Sequence, residues 1–478
     1  MSAPNESWFI ENGFTEADIE FPARRANSNG RDGKDGADDR FSRSDLGNAE
    51  LLAVEHGERF RHVRARRVWL VWQGGRWRED ETGEIMRAAK ETTRDRLARA
   101  AAIDNDDQRK REAHWALGSH SDSRLRAMVS LASTEPGIVL AADELDRDPY
   151  LLACANGTLD LHSGKLRDHD PADLISLGTD IVYDPAATCP RWLRFLREVF
   201  DDDEELIGFV RRASGYALTG DTREQALFVL HGGGCNGKSV FIETMQRIAG
   251  GFAAVTPFDT FARVRDRGIR NDLARLHRSR LVVAAESGEG RKLDEATVKL
   301  VTGGDVIPCR FLHQEFFEYR PGFKIFLITN HRPRVEGDDD AIWRRIRLIP
   351  FAVSFQGRED THLAKTLTGE LPGILTWAVQ GCREWQQHGL GLPAAVEAAT
   401  TQYREDEDVF GAFLAEQCEL HGEVEAATLR AAYEAYCKDL GEKPLTASSL
   451  GKRLTRRGIK ATKSNNVRTY SGLRLVSR

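Results

Sequence analysis

The stretch HGGGCNGKSVFIETMQRIAG, from His231 to Gly250, sets three bare glycines, one lysine and one hydroxyl ahead of a helical pattern. Gly232 to Ser239 fits the phosphate-loop spacing GxxxxGK(S/T) in full. Glycine lets backbone N–H groups curl round an anion with no side chain in the way, and a helix N-terminus adds positive potential. The flanks agree with this reading. An apolar run at 226–230 precedes the loop, and Phe241, Met245 and Ile248 share one face of the helix that follows. The expected ligand is a nucleoside triphosphate held by Gly232, Gly233, Gly234, Cys235, Asn236, Gly237, Lys238, Ser239 and Val240. Lys238 would reach the β- and γ-phosphates, and Ser239 would hold Mg2+.

Three later positions could carry hydrolysis. RLVVAAE ends on Glu286, a carboxylate at a strand tip that can hold the magnesium shell and polarise water, alone or with Glu289. FKIFLITN ends on Asn330, which can position the attacking water, although an asparagine after a strand is also an ordinary turn former. In DDDAIWRRIRLIPF (338–351), an arginine ahead of a strand can reach a neighbouring subunit's nucleotide. Arg345 is the first choice and Arg344 the reserve. A salt bridge to Asp338, Asp339 or Asp340 is the plainer alternative.

These groups need a scaffold of strand tips. Short apolar runs at 226–231, 280–285, 324–329 and 345–351 alternate with helical patterns, which implies an α/β fold with a buried parallel sheet over 223–395. Ahead of it, 186–222 reads as a helical segment suited to a collar. Residues 46–185 read as an α+β domain, with hairpins at VWLVWQGGRW and CANGTLDLHSGKLRDHDP and a helix over 84–117. Its tryptophans read as core. Residues 1–45 are polar and expected to be mobile. Residues 396–409 read as a linker. TLRAAYEAYCKDLG and TASSLGKRLTRRG then read as two helices before a hairpin, a winged helix over 410–478. Thr446 would cap the second helix and Gly458 would end it. Lys452, Arg453, Arg456 and Arg457 would meet DNA there.

The chain has 478 residues, enough for about three domains, and is 30% charged and 41% apolar. No apolar run is long enough for a membrane helix, and no secretory leader is evident. Seven cysteines without a CxxC pair suit reduced thiols in a cytoplasm rather than disulfides or zinc. The net charge is −6, yet Ser448 to Arg478 holds nine Lys or Arg and no acid. A basic end on an acidic chain is an electrostatic footprint for nucleic acid.

The order GGGCNGKS, RLVVAAESGEG, VKLVTGGDVIPCRFLHQEFFEYRP, FKIFLITNHRP, DAIWRRIRLIPF resembles that of superfamily 3 helicases, most nearly the helicase portion of phage, plasmid and poxvirus primase–helicases. The resemblance is strong over 150–351 and weaker on either side. It implies AAA+-like ATPase subunits in a ring, usually a hexamer, around one nucleic-acid strand, with nucleotide between subunits. It also implies a hairpin in the channel, with His313 and Gln314 near its tip. Papillomavirus and polyomavirus helicases carry Lys-His there; this chain has Leu312-His313, so Arg310 or Arg320 would supply the charge. Lys299 falls where those relatives place a second trans cation, and an exposed helical lysine fits it equally well. The full primase–helicases carry a polymerising domain of about 150 residues ahead of the helicase. The segment preceding position 46 has no room for it, so the expectation is unwinding without priming.

The resulting expectation is an ATP- and Mg2+-dependent replicative helicase of a phage, prophage or plasmid, acting on single-stranded and forked DNA in a bacterial cytoplasm. A separate primase or initiator is a further expected partner. The rivals are an ATP-driven initiator or scaffold that binds DNA without unwinding it, and an RNA-directed or defence-associated ATPase.

Overall fold

The computed structural model describes residues 41–264, 270–285, 288, 290–311, 315–337, 339–464 and 467–476. The chain divides into two units, Met1–Arg147 with His169–Leu177, and Asp148–Asp168 with Gly178–Arg478.

In the first unit, the Ser44 hydroxyl accepts from the Gly47 N–H and caps α1 (Asp45–His56). Strands β1 (Phe60–Val63), β2 (Val68–Gln73) and β3 (Arg76–Glu79) form an antiparallel meander, and β4 (Val139–Leu140) joins β1 in parallel. Gly74 and Gly75, with φ of 57° and 77°, form the two-residue turn between β2 and β3. The single helix expected over 84–117 is two, α2 (Glu84–Ala100) and α3 (Asp106–Gly118). The Asn105 side chain restarts the helix by accepting from the Gln108 N–H. α4 (Asp122–Ala132) follows. Trp77 is buried, and its indole N–H donates to the Pro171 carbonyl at 2.9 Å.

The second unit opens with the antiparallel sheet of β5 (Leu151–Cys154), β6 (Gly157–Asp160) and β7 (Lys165–Arg167). The sequence assigns this hairpin to the first domain. Gln386 instead ties it to the second, donating to the Leu161 carbonyl at 2.7 Å. Helices α5 (Pro190–Phe200) and α6 (Glu204–Ala217) occupy the segment 186–222 expected to be helical. Trp192 of α5 stacks 5.8 Å from Phe241 of α7 (Lys238–Ala249), the helix that follows the glycine loop.

Next come β8 (Leu227–His231), β9 (Ala253–Pro257), α8 (Asn271–Ala274), β10 (Leu281–Ala285), α9 (Glu295–Thr302), the hairpin β11 (Ile307–Cys309) and β12 (Phe317–Tyr319), β13 (Lys324–Thr329), α10 (Asp340–Trp343) and β14 (Ile346–Pro350). The order β14-β8-β13-β10-β9 makes a five-stranded sheet, every pairing parallel. In such a sheet the crevice beyond the carboxyl ends of the strands is the place for a ligand. The architecture is thus mixed α/β, consistent with a P-loop helicase core. α11 (Leu363–Gly369) and α12 (Leu371–His388) follow, and Trp377 of α12 meets Trp192 of α5 edge-on at 5.5 Å.

The expected linker at 396–409 is a correction. Most of it lies in α13 (Ala394–Glu407), which packs on β14. Tyr403 is buried and donates to the Pro333 carbonyl, and the Thr400 hydroxyl accepts from the Leu348 N–H at 3.2 Å. The C-terminal module follows: α14 (Val409–Gln417), β15 (Cys418–Glu419), β16 (Glu423–Glu425), α15 (Ala426–Asp439), α16 (Ala447–Arg456), β17 (Lys460–Ser464), β18 (Val467–Ser471) and β19 (Arg474–Leu475). It has its own core around Phe410, Leu429, Leu454 and Tyr470. The Thr446 hydroxyl accepts from the Ser449 N–H, and Gly458 sits at φ 81° just past α16. No helix among the described residues is long and apolar enough to cross a membrane.

Candidate functional site

The glycine loop springs from the tip of β8, between the tips of β13 and β14. Gly234 and Gly237 hold φ of 106° and 86°, conformations that a Cβ disfavours. Gly237 is the N-cap of α7 and has no side chain to cap with, so the first-turn N–H groups face an incoming anion. Phe241, Met245 and Ile248 are buried and fix the helix behind the loop. Gly232 is held from two sides. A Cβ there would stand 2.0 Å from the Asn236 amide nitrogen and 2.3 Å from the Phe351 carbonyl oxygen. Gly232→Ala is therefore expected to destabilise the fold by about 1–3 kcal/mol, read as a lowered midpoint in urea unfolding. A midpoint equal to wild type would mean the loop relaxes freely.

Lys238 is the centre of the site. Its side chain is buried, and its ammonium donates to the Gly232 carbonyl at 2.6 Å, Asn236 Oδ1 at 3.0 Å and Asn330 Oδ1 at 2.9 Å. Burial pushes its pKa below the usual lysine range. Asn236 in turn donates to the Phe351 carbonyl at 3.1 Å, and the Phe355 N–H donates to the Cys235 carbonyl at 2.7 Å. The loop lysine and the strand-tip asparagine, distant in sequence, thus meet. Burial, then Arg332 and Lys238, also lowers the pKa of His231, which favours the neutral imidazole.

A cavity of about 810 Å³ opens over this junction, and Gly234 to Val240, Ala285 and Asn330 are among the residues that line it. Ser239 is exposed beside Lys238. Further lining residues were not legible in the sequence as part of a site. Phe195, Phe355 and Leu363 give the cavity an apolar lining, and Arg191 bridges Glu198 at 3.1 Å and Asp360 at 3.2 Å. The His362 N–H, then Arg191, holds the Asp360 carboxyl below its ordinary range. Loop amides and apolar side chains lining one cavity suit a ligand with both an anionic part and a flat apolar part.

Glu286, Glu289, His313, Gln314 and Asp338 lie outside the described residues. Ala285, the last residue of β10, lines the cavity directly ahead of Glu286. Among the described residues no group of three His, Cys, Asp or Glu could hold a metal ion. A metal here would need Ser239 together with ligand oxygens and Glu286.

The arginines are arranged differently from the first choice made on sequence. Arg345 is 6% exposed, and its guanidinium donates to Thr302 Oγ1 at 3.0 Å and to the Ala341 carbonyl at 2.6 Å. In this structure its guanidinium is thus bonded within its own chain. Arg344 is exposed, its nearest recorded partner Gln225 Oε1 at 3.4 Å. Lys299 pairs with Asp339 at 2.6 Å. In the β11–β12 hairpin, Arg310 lies 4.8 Å over the ring of Phe316, which is 65% exposed. Phe316 was not singled out by motif; its signal is exposure. Arg320 is bonded at the hairpin base, donating to the Gly304 carbonyl at 2.8 Å.

The four cations expected to meet DNA on α16 also divide. Arg453 donates to the Glu336 carbonyl at 2.9 Å and faces Asp408 at 3.5 Å. Arg457 pairs with Asp408 as well, and Arg456 lies near enough to Asp339 to lower its pKa, behind Lys299 and the Ala341 N–H. These three turn toward the ATPase side. Lys452 is exposed, and no carboxylate among the described residues pairs with it.

Residues 49–201 match the family described as D5 N terminal like, and residues 230–345 match a family of unknown function, DUF5906. The chain is 29% identical over 296 residues to "Putative helicase L207/L206" of Acanthamoeba polyphaga mimivirus, covering 56% of this chain and 30% of that protein. It is 30% identical over 229 residues to "Putative helicase 121R" of Invertebrate iridescent virus 3, covering 46% and 24%. It is 24% identical to "Putative primase C962R" of African swine fever virus, covering 46% and 24%. The chain thus matches less than a third of the length of these relatives. The apo structure of the NrS-1 C-terminal region shares the fold, with a TM-score of 0.51 at 11% identity, over 88% of this chain and 98% of that one. The D5-type match and the viral helicase and primase relatives support a primase–helicase-like family for this chain, and the resemblance to superfamily 3 helicases is consistent with it.

Proposed function

We propose that the chain is a replicative DNA helicase motor in which ATP, bound at the 232–240 loop, drives a ring of identical subunits along single-stranded DNA. The observation that carries this reading is the meeting of Lys238 and Asn330 at 2.9 Å beneath the glycine loop, at the mouth of the cavity. The loop amides and Lys238 would hold the phosphates, and the apolar lining at Phe195 would face the base. Mg2+ would take Ser239 and, directly or through water, Glu286; it would neutralise charge on the phosphate oxygens. Glu286 would polarise the attacking water and Asn330 would position it. Arg344, from the adjoining subunit, would stabilise charge in the transition state.

Strand displacement on a forked duplex tests the reading, with wild type set against Lys238→Ala. ATP-dependent displacement lost in the variant is expected. Hydrolysis without displacement, alongside stable assemblies on DNA, would instead favour an initiator or scaffold. The duplex resists by about 1.4 kcal/mol per base-pair step, so the grip on the drawn strand has to hold against that load.

That grip is assigned to the β11–β12 hairpin. An exposed aromatic ring with a guanidinium over it can stack on a base while meeting the backbone charge. Phe316→Ala is expected to weaken binding of an oligo-dT by roughly tenfold, since one base stack is worth about 1–3 kcal/mol. Fluorescence anisotropy measures it. Affinity unchanged within error would move the grip elsewhere on the hairpin.

A further inference from the structure

The cations of the C-terminal module face two ways, and only one group is neutralised. Arg453 and Arg457 share Asp408, Arg453 also holds the Glu336 carbonyl, and Arg457 lies 5.3 Å over the Phe410 ring. Nearby, Arg334 on the ATPase side pairs with Glu442 of the module at 2.7 Å. These contacts dock the module. Lys452, Lys460, Lys463 and Arg468 are exposed, and no carboxylate among the described residues pairs with any of them.

The second group is placed where it is unfavourable without an anion. Lys463 and Arg468 are direct partners across the β17–β18 ladder, and like charges facing one another there repel. Arg468 packs over the Tyr470 ring at 5.5 Å and beside α16: a Cβ at Gly451 would stand 3.5 Å from its Nη2. The ribbon therefore meets the helix at the residue preceding Lys452. This makes a positive seam of two rigid elements, on a chain whose net charge is −6.

We propose that this seam, Lys452 on α16 with Lys463 and Arg468 on the ribbon, binds the phosphate backbone of duplex DNA, while Arg453 and Arg457 serve only to dock the module. The choice of DNA rests on the helicase reading; the seam itself does not. The chemistry favours a duplex over a single strand. Tyr470 is buried, and the module presents no exposed aromatic ring over 446–476 among the described residues, so base stacking has no platform. An acidic peptide would call for an apolar anchor at the centre of its interface, and the seam is cationic. Contacts of this kind position a duplex without reading its sequence.

The test is binding of a blunt 20-bp DNA duplex to the full chain by fluorescence anisotropy, across a salt series and without nucleotide. Each phosphate contact contributes about −0.9 to the slope of log K against log salt. The pair Lys463→Gln and Arg468→Gln is expected to reduce the magnitude of that slope by about two and weaken low-salt binding by roughly ten- to a hundredfold. The pair Arg453→Ala and Arg457→Ala should retain the slope while hastening proteolytic release of the module. An unchanged slope in the first pair, an equal loss in the second, or tighter binding of duplex RNA or oligo-dT through the same residues would overturn the proposal. Circular dichroism of each variant, and the charge-conserving Lys463→Arg with Arg468→Lys, separates lost contacts from a lost fold: restored binding supports the seam, and unrestored binding in a folded variant counts against it. Because nucleotide is omitted, a failure of the motor reading leaves this result standing or falling by itself.

Discussion

Lys238→Met is expected to lower ATP turnover by about 10²–10³-fold while the melting temperature stays within a few degrees of wild type. Methionine keeps the buried stem and removes only the ammonium. The Gly232 carbonyl, Asn236 Oδ1 and Asn330 Oδ1 lose a donor, at about 1–3 kcal/mol for each acceptor left wholly unsatisfied. Against that, the variant no longer holds a charge in a place that disfavours charge, as the depressed pKa of Lys238 shows. The two effects oppose each other in stability. In turnover they do not, because only the charge would meet the phosphates of the proposed nucleotide. Phosphate release and thermal melting, measured together, separate them. A loss of turnover smaller than roughly tenfold would take the loop lysine out of the chemistry.

What the sequence reveals depends on how each residue is buried. The runs at 226–231, 280–285, 324–329 and 345–351 are visible because β8, β10, β13 and β14 are covered on both faces, and such strands read as unbroken apolar stretches. β9 and β14 both lie at sheet edges, but β14 is mostly buried while β9 buries only Thr256. Val255 is exposed and the strand ends on Pro257, so it leaves no run to see. α13 read as a linker because its buried residues, Val396 and Tyr403, sit among glutamates and threonines. Part of the cavity's lining was hidden for the opposite reason. Phe195 belongs to a helix so strongly apolar on one face that it reads wholly as core, although it also borders the site. Where cations point is harder still. Arg344 and Arg345 are neighbours in the turn between α10 and β14, which buries Arg345 and exposes Arg344. The α16 arginines likewise are decided by Asp408 and Glu336, which come from other elements.

That difference between neighbours gives the second large effect. Arg344→Ala is expected to cut turnover by about 10³-fold or more, the range for an arginine supplied across a subunit boundary, with melting unchanged. Arg345→Ala is expected to act on stability, by about 2–3 kcal/mol, because Thr302 Oγ1 and the Ala341 carbonyl both lose their donor in the core. Mixing makes the argument one about assembly. Subunits carrying Arg344→Ala still have an intact loop, and subunits carrying Lys238→Ala still have an intact Arg344. Where the two adjoin in one order, an intact loop meets an intact arginine, so the mixture should hydrolyse ATP faster than either parent alone. The same experiment with Arg345→Ala should recover nothing beyond what its own folded fraction supplies. If no ratio of Arg344→Ala to Lys238→Ala exceeds its parents while native mass spectrometry shows mixed rings, the arginine acts within its own subunit and the site is complete in one chain.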